Sequence, residues 1–300
     1  MHVAARLRRD ASGFAWLPDV ACDCQIGTMG EYVTKHEPRI LMPSTKQAPL
    51  ETEKRARRET PRSPVRGRGV ARYAALLDAA HELLQHEDPS KVGLYQIAEQ
   101  AGVPGPSVYH FFPTKEAAYV ALAERYVSEV LEIHAVPIEA RLINSWQDLY
   151  VLDNRRAMDY FNNNPAASKI MYANYGGAQA REIDRIFNQK LARGNYSRLN
   201  KIFHMPYMSD PEKVFEINLA ILDGIWEVSV RHEGCITEAY MDETDRACFA
   251  YLRLFLPDRI DLREALKVAQ ERGEYLLMHL PGDVLQTTAD PHYRDPPVEK

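Results

Sequence analysis

The stretch from Leu94 to Ala118, LYQIAEQAGVPGPSVYHFFPTKEAA, restricts the fold more than any other part of this 300-residue chain. Leu94, Ile97, Ala98 and Ala101 recur at i, i+3, i+4 and i+7 and so share one helical face. Gly102 follows where a helix ends best on a left-handed residue, which suits glycine because it has no Cβ. Val103 turns back toward the core. Pro104-Gly105-Pro106 then opens a second helix, since proline is tolerated in a first turn whose N–H groups lack partners anyway. On that helix Val108, Phe111 and Phe112 form the buried face, which leaves Ser107, Tyr109 and His110 pointing outward. The pattern predicts a helix-turn-helix with a solvent-facing second helix, the geometry that enters a DNA major groove.

The rest of the chain reads as helices separated by punctuation, and no segment alternates as a strand does. Tyr73, Leu76, Leu77, Ala80, Leu83 and Leu84 give an apolar face to a first helix over about 70–85. Pro113-Thr114 supplies a stop and then an N-cap for a long helix reaching about His134. Further helices are expected over about 138–162, from there to Tyr175, and over 178–203. Asp210-Pro211 then opens a helix that runs to Gly234, and another covers 237–256. Asp261 and Glu264 pair as N-cap and N3 of a terminal helix, and the end from Pro281 looks loose. The expected class is all-α: an N-terminal three-helix helix-turn-helix domain (67–115) and a larger helical domain (116–257). A disordered basic extension (1–66) precedes them, and a helix with a loose tail (258–300) follows.

Composition excludes several classes. No apolar run approaches the roughly 18–20 residues of a membrane span. Four scattered cysteines make no disulfide framework, which fits a reducing cytoplasm, and His134, His204 and His232 have no metal-binding spacing. There is no nucleophile elbow and no phosphate-binding glycine loop, so an enzyme is not expected, nor a cofactor. The net charge of −5 argues mildly against nucleic acid, but it is unevenly spread. Lys54, Arg55, Arg57, Arg58, Arg62, Arg66, Arg68 and Arg72 lie together just ahead of the helix-turn-helix, opposed only by Glu59.

Arg72 to Arg125 resembles the DNA-binding domain of TetR-type (TetR/AcrR family) transcriptional regulators. The resemblance rests on ALLDAAHELL, the IAEQAGV scaffold helix and turn, the SVYHFFPTKEA recognition segment, and ALAERY in the linking helix. It implies a homodimeric repressor, with 116–257 as its helical ligand-binding and dimerisation domain, that binds a pseudo-palindromic double-stranded operator and leaves it when a small molecule binds. It also implies DNA contacts across the segment Gly93 to Phe112: Gly93, Tyr95, Gly105, Pro106, Ser107, Tyr109 and His110, with Lys115 at the first turn of the linking helix. Two departures stand out. The scaffold helix begins at Gly93 where the family commonly has Ser or Thr. The recognition helix carries Gly105 where Lys, Arg or Gln is common, and has no Lys or Arg at all. DNA affinity is largely phosphate neutralisation, so the arm that ends in Arg66 and Arg68 is the candidate for the missing charge. The alternative is a helix-turn-helix interaction module that does not bind DNA specifically.

The second half carries no motif, only stripes. Aromatic and methionine side chains at Trp146, Tyr150, Met158, Phe161, Met171 and Tyr175, with Phe187, Leu222 and Trp226, would suit a pocket for a small apolar or aromatic effector, although such stripes also make plain core. The helix from Val214 to Val230 has one apolar stripe at Val214, Ile217, Ile221, Ile225 and Val228. A second stripe runs through Phe215, Leu219, Leu222 and Trp226. A helix apolar on two sides is buried on two sides. Phe215, Leu219 and Trp226, with Ala247, Tyr251, Leu254 and Phe255, are the residues expected at a homodimer interface.

Overall fold

The computed structural model describes residues 61–64, 67–172, 177–279 and 285–292. The expectations for residues 1–60, Arg66 and Tyr175 lie outside them. Among the described residues ten α-helices follow one another: α1 (Arg68–His86), α2 (Leu94–Gln100), α3 (Gly105–Phe111), α4 (Lys115–Ala135), α5 (Trp146–Asn163), α6 (Pro165–Met171), α7 (Gly177–Ile202), α8 (Pro211–Glu233), α9 (Glu238–Leu252) and α10 (Glu264–Arg272). Among the described residues no helix is long and apolar enough to cross a membrane, and no cluster of acidic, histidine or cysteine side chains is arranged to hold a metal.

Local chemistry places most of the boundaries. Gly102 has φ 63°, the left-handed turn between α2 and α3. The Thr114 hydroxyl accepts from the Ala117 N–H at 3.2 Å and starts α4. Asp210 caps α8 through the Lys213 N–H at 3.1 Å, Pro211 follows at N1, and left-handed Gly234 ends the helix.

Three boundaries differ from the sequence reading. The helix expected from Ile138 begins only at Trp146, because Ser145 and Asp148 form a capping box in which the Asp148 carboxylate accepts from the Ser145 N–H at 2.8 Å. The residues before it make β1 (Ile138–Glu139) and a 3-10 turn (Ala140–Leu142). Asp261 does not cap the terminal helix; Arg263 holds that position without a side-chain bond. The supposed loose end contributes β3 (Thr287–Thr288), which pairs antiparallel with β2 (Tyr275–Leu276), itself antiparallel to β1. Strands of two residues are too short to show alternation.

Two apolar clusters hold the body together. One runs without a break from the helix-turn-helix (Leu76, Ala80, Ile97, Val108, Phe112) through α4 (Ala118, Leu122, Tyr126) to Phe161, Leu222 and Trp226. The other gathers Ile138, Trp146, Phe203, Phe215, Leu252 and Leu276 at the far end. A polar chain also crosses from α1 to the body. Arg125 joins Asp78 at 2.6 Å and Glu129 at 2.9 Å, and the Tyr160 hydroxyl donates to Glu129 at 2.7 Å. Asn164 donates to Tyr160, and Gln85 donates to Asn164 at 3.2 Å and to His81 Nε2 at 3.0 Å. His81 Nε2 therefore accepts, and Nδ1 faces the Tyr126 hydroxyl at 3.0 Å. The Lys169 ammonium adds a cap to α1 by donating to the carbonyls of Leu84 and Glu87 at 2.7 and 3.1 Å.

Burial, with the Arg125 charge nearby, holds the His81 imidazole below its usual range, and burial does the same for His134 near the end of α4. A histidine whose pKa is lowered by folding takes up its proton in the unfolded chain first. Its contribution to stability is therefore complete above the unfolded value of about 6.5 and is lost as pH falls through the native value. Melting temperature should fall as pH drops below about 6.5, and His81→Gln should flatten that part of the profile. An unchanged profile in the variant would show that His81 does not couple to folding.

Candidate nucleic-acid interface

The helix-turn-helix presents one polar face. Val108, Phe111 and Phe112 are buried, and Tyr73 of α1 packs on the two phenylalanine rings with centroids at 5.8 and 5.1 Å. With its inner side so held, α3 must turn its other side to solvent: Tyr109 is 56 % exposed, and Pro106 and His110 are exposed beside it. Tyr95, on α2, is 72 % exposed. Ser107 and Lys115 are partly covered. Tyr109, His110, Ser107 and Lys115 thus offer hydroxyl, imidazole and ammonium groups of the kind that bind phosphate and base edges.

The two glycines offer space rather than hydrogen bonds. A Cβ on Gly105 would meet nothing within 4 Å, so internal packing does not require a glycine there. The N–H of Gly93 already donates to Gln96 Oε1 at 2.7 Å and is not available to a phosphate.

Arg62, which follows most of the basic run, meets the domain at the end of α3. The Arg62 N–H donates to the Phe111 carbonyl at 2.8 Å, at the C-terminal end of α3. The chain then turns at Gly67 with φ 59°, and a Cβ on Gly69 would stand 3.2 Å from Pro64. Arg62 and Arg68 are both exposed, and Arg66 lies outside the described residues. Sequence periodicity could not show this contact of Arg62 with the recognition helix, because it is a backbone one.

Residues 76–122 match the family model described as bacterial regulatory proteins, tetR family. The helix-turn-helix segment is what matches the tetR family. The chain's similarity to curated relatives is confined to that end: it is 32 % identical over 68 residues to the HTH-type transcriptional regulator EthR of Mycobacterium tuberculosis, and equally to that of Mycobacterium bovis. The match spans 23 % of this chain and 32 % of the relative, about a third of the relative's length. Among solved structures, a TetR transcriptional regulator from Rhodococcus sp. RHA1 aligns with 21 % identity and a TM-score of 0.47 over 62 % of this chain and 97 % of that one. The fatty acid degradation regulator FadR from Bacillus halodurans aligns with 12 % identity and a TM-score of 0.48 over 63 % and 99 %.

Beyond the matched segment, the side chains expected to line a pocket pack as core instead. Phe161 stacks edge-on with Tyr172 at 4.9 Å and Trp226 at 6.2 Å, and the Trp226 indole donates to Thr244 at 3.1 Å. Met158, Phe187 and Leu222 are buried in the same cluster, with Met171 packed against it. Trp146 is 1 % exposed and donates to the Pro257 carbonyl at 3.0 Å, while Tyr150 packs on Phe249. These residues fill space rather than enclose it.

The expected dimer stripe is also corrected. Phe215, Leu219 and Trp226 are 1 %, 8 % and 1 % exposed within the single chain and have no surface for a partner. The larger stripe of α8 faces inward; Ile217 (39 % exposed), Ala220 and Gly224 face solvent, with Ile221 and Ile225 half-buried between the two sides. On α9 and the turn after it, Leu254 and Phe255 are exposed, and Ala247 and Tyr251 are partly covered.

Proposed function

We propose that the chain is a homodimeric, sequence-specific transcriptional regulator, a repressor released from a pseudo-palindromic operator by a small molecule. The observation that carries this reading is the recognition helix: its apolar side is locked into the domain core, and Ser107, Tyr109 and His110 stand on the open side. The outer apolar faces of α8 and α9 supply the surface for a second copy, which would set two recognition helices about one helical turn, roughly 34–36 Å, apart. A monomer rarely leaves such a face uncovered. The continuous helix α4 joins the head to the body, so a ligand that favours one position of α4 shifts the spacing of the heads through its differential affinity.

Fluorescence anisotropy with fragments of the chain's own upstream DNA tests the reading. Tyr109→Phe removes one hydroxyl donor to a phosphate and is expected to weaken specific binding on the order of 10-fold with no change in melting temperature. The absence of any sequence-dependent binding across a genomic fragment library would overturn it. That result would favour an interaction module without specific DNA binding, the reading supported by the lack of Lys and Arg in α3.

A further inference from the structure

A cleft of about 410 Å³ lies between the last turn of α4 and the second half of α7. Four cationic side chains line it, Lys190, Arg193, Arg198 and Lys201, and no aspartate or glutamate does. Carboxylates from residues that do not line the cleft hold Arg198 and Arg193, and Lys201 is also partnered. Asp153 holds the outer nitrogens of Arg198 at 2.6 and 3.1 Å, and Glu212 holds Arg193 at 2.9 Å. Lys190, at the rim, has no acidic partner among the described residues.

The decisive atom is Arg198 Nε. The residue is only 7 % exposed, and this third guanidinium N–H is buried with no acceptor. A buried charged donor left without a partner is costly, and native interiors seldom leave one so. The walls are partly apolar, with Leu131 on α4 and Met278 opposite. His134, also on the wall, donates from Nδ1 to the Val130 carbonyl at 2.8 Å, and burial keeps it neutral near pH 7.

We propose that this cleft binds a small organic carboxylate. Its anionic head lies between Lys190 and Arg198 Nε, and its apolar body lies against Leu131 and Met278. A single carboxylate matches one open guanidinium N–H and one ammonium. Because Leu131 and His134 belong to α4, occupancy bears directly on the helix that carries the DNA-binding head. As an effector site this rests on the regulator reading; as a binding site it does not, and its test involves no DNA.

The experiment is thermal unfolding of the full chain with matched acid and amide pairs (benzoate and benzamide, phenylacetate and phenylacetamide, hexanoate and hexanamide) and with inorganic phosphate, at constant ionic strength. At least one acid is expected to raise the melting temperature by a few °C in a saturable way while its amide does not, since a ligand that binds only the native state stabilises it. Lys190→Glu, at an exposed position that the fold tolerates, should abolish the shift without lowering the ligand-free melting temperature. No acid outperforming its amide, or a shift that survives in Lys190→Glu, overturns the proposal. A response to phosphate alone overturns it too, because the site would then recognise an inorganic oxyanion.

Discussion

Asp153→Ala is expected to lower the melting temperature on the order of 10 °C, the largest single-residue effect on stability foreseen for this chain. The side chains of Asp153 and Arg198 are 11 % and 8 % exposed, and they meet through two parallel hydrogen bonds. Removing the carboxylate does not release the guanidinium, which stays fixed on α7 without a counter-charge or an acceptor. Breaking a buried pair from one side costs about 3–5 kcal/mol, whereas replacing both charges with apolar groups is often neutral. At roughly 2–4 °C per kcal/mol for a chain of this size, that loss corresponds to the shift stated. Adding Arg198→Met to Asp153→Ala should therefore recover most of it. If the double variant melts as low as the single one, the cost comes from packing and not from the stranded charge.

This pair also shows what a sequence can and cannot reveal. Asp153 and Arg198 are 45 positions apart on different helices, and neither carries a local signal that it will be buried. The polar chain from Asp78 through Glu129 and Asn164 to His81 is equally hidden, since it draws on α1, α4, α5 and the N-cap of α6. The helix-turn-helix was legible because its determinants are local. Spacings of three and four set the buried faces, and glycine, threonine and proline mark the ends through backbone chemistry. The capping box at Ser145 was equally local, but an apolar stretch before it reads as more helix.

The errors at α8 have one physical cause. Periodicity reports that a helix has two apolar stripes, not which of them meets the protein's own core. The stripe with Phe215 and Trp226 carries the greater apolar area and gains more from complete burial. The isoleucine and alanine stripe is left to the outside. The same preference for burying large aromatics explains why Phe161, Tyr172 and Trp226 form a packed cluster where a pocket was expected. The cleft between α4 and α7 is lined by lysine and arginine, residues that a search for apolar stripes passes over.

Deleting residues 1–66 is expected to produce the largest effect on DNA binding, and to show it as a change in salt dependence. The recognition helix brings shape and neutral hydrogen-bonding groups to the duplex but no fixed positive charge of its own, and Lys115 stands alone beside it. Lys54, Arg55, Arg57, Arg58, Arg62 and Arg66 precede the domain, and Arg62 is tied by its backbone to the end of that helix. Each phosphate neutralised contributes about −0.9 to the slope of log K against log salt. If half of those six cations reach phosphates, the truncated chain loses about 3 from the slope per protomer and binds weakly at physiological salt. Because truncation also removes the Arg62–Phe111 bond, a full-length variant with Lys54, Arg55, Arg57 and Arg58 changed to glutamine separates charge from anchoring. That variant should keep its melting temperature and still show a shallower slope. Equal slopes for the intact chain, the truncation and the glutamine variant would mean that the arm neutralises no phosphates, and the affinity would then have to come from Lys115 and the hydrogen-bonding groups of α3.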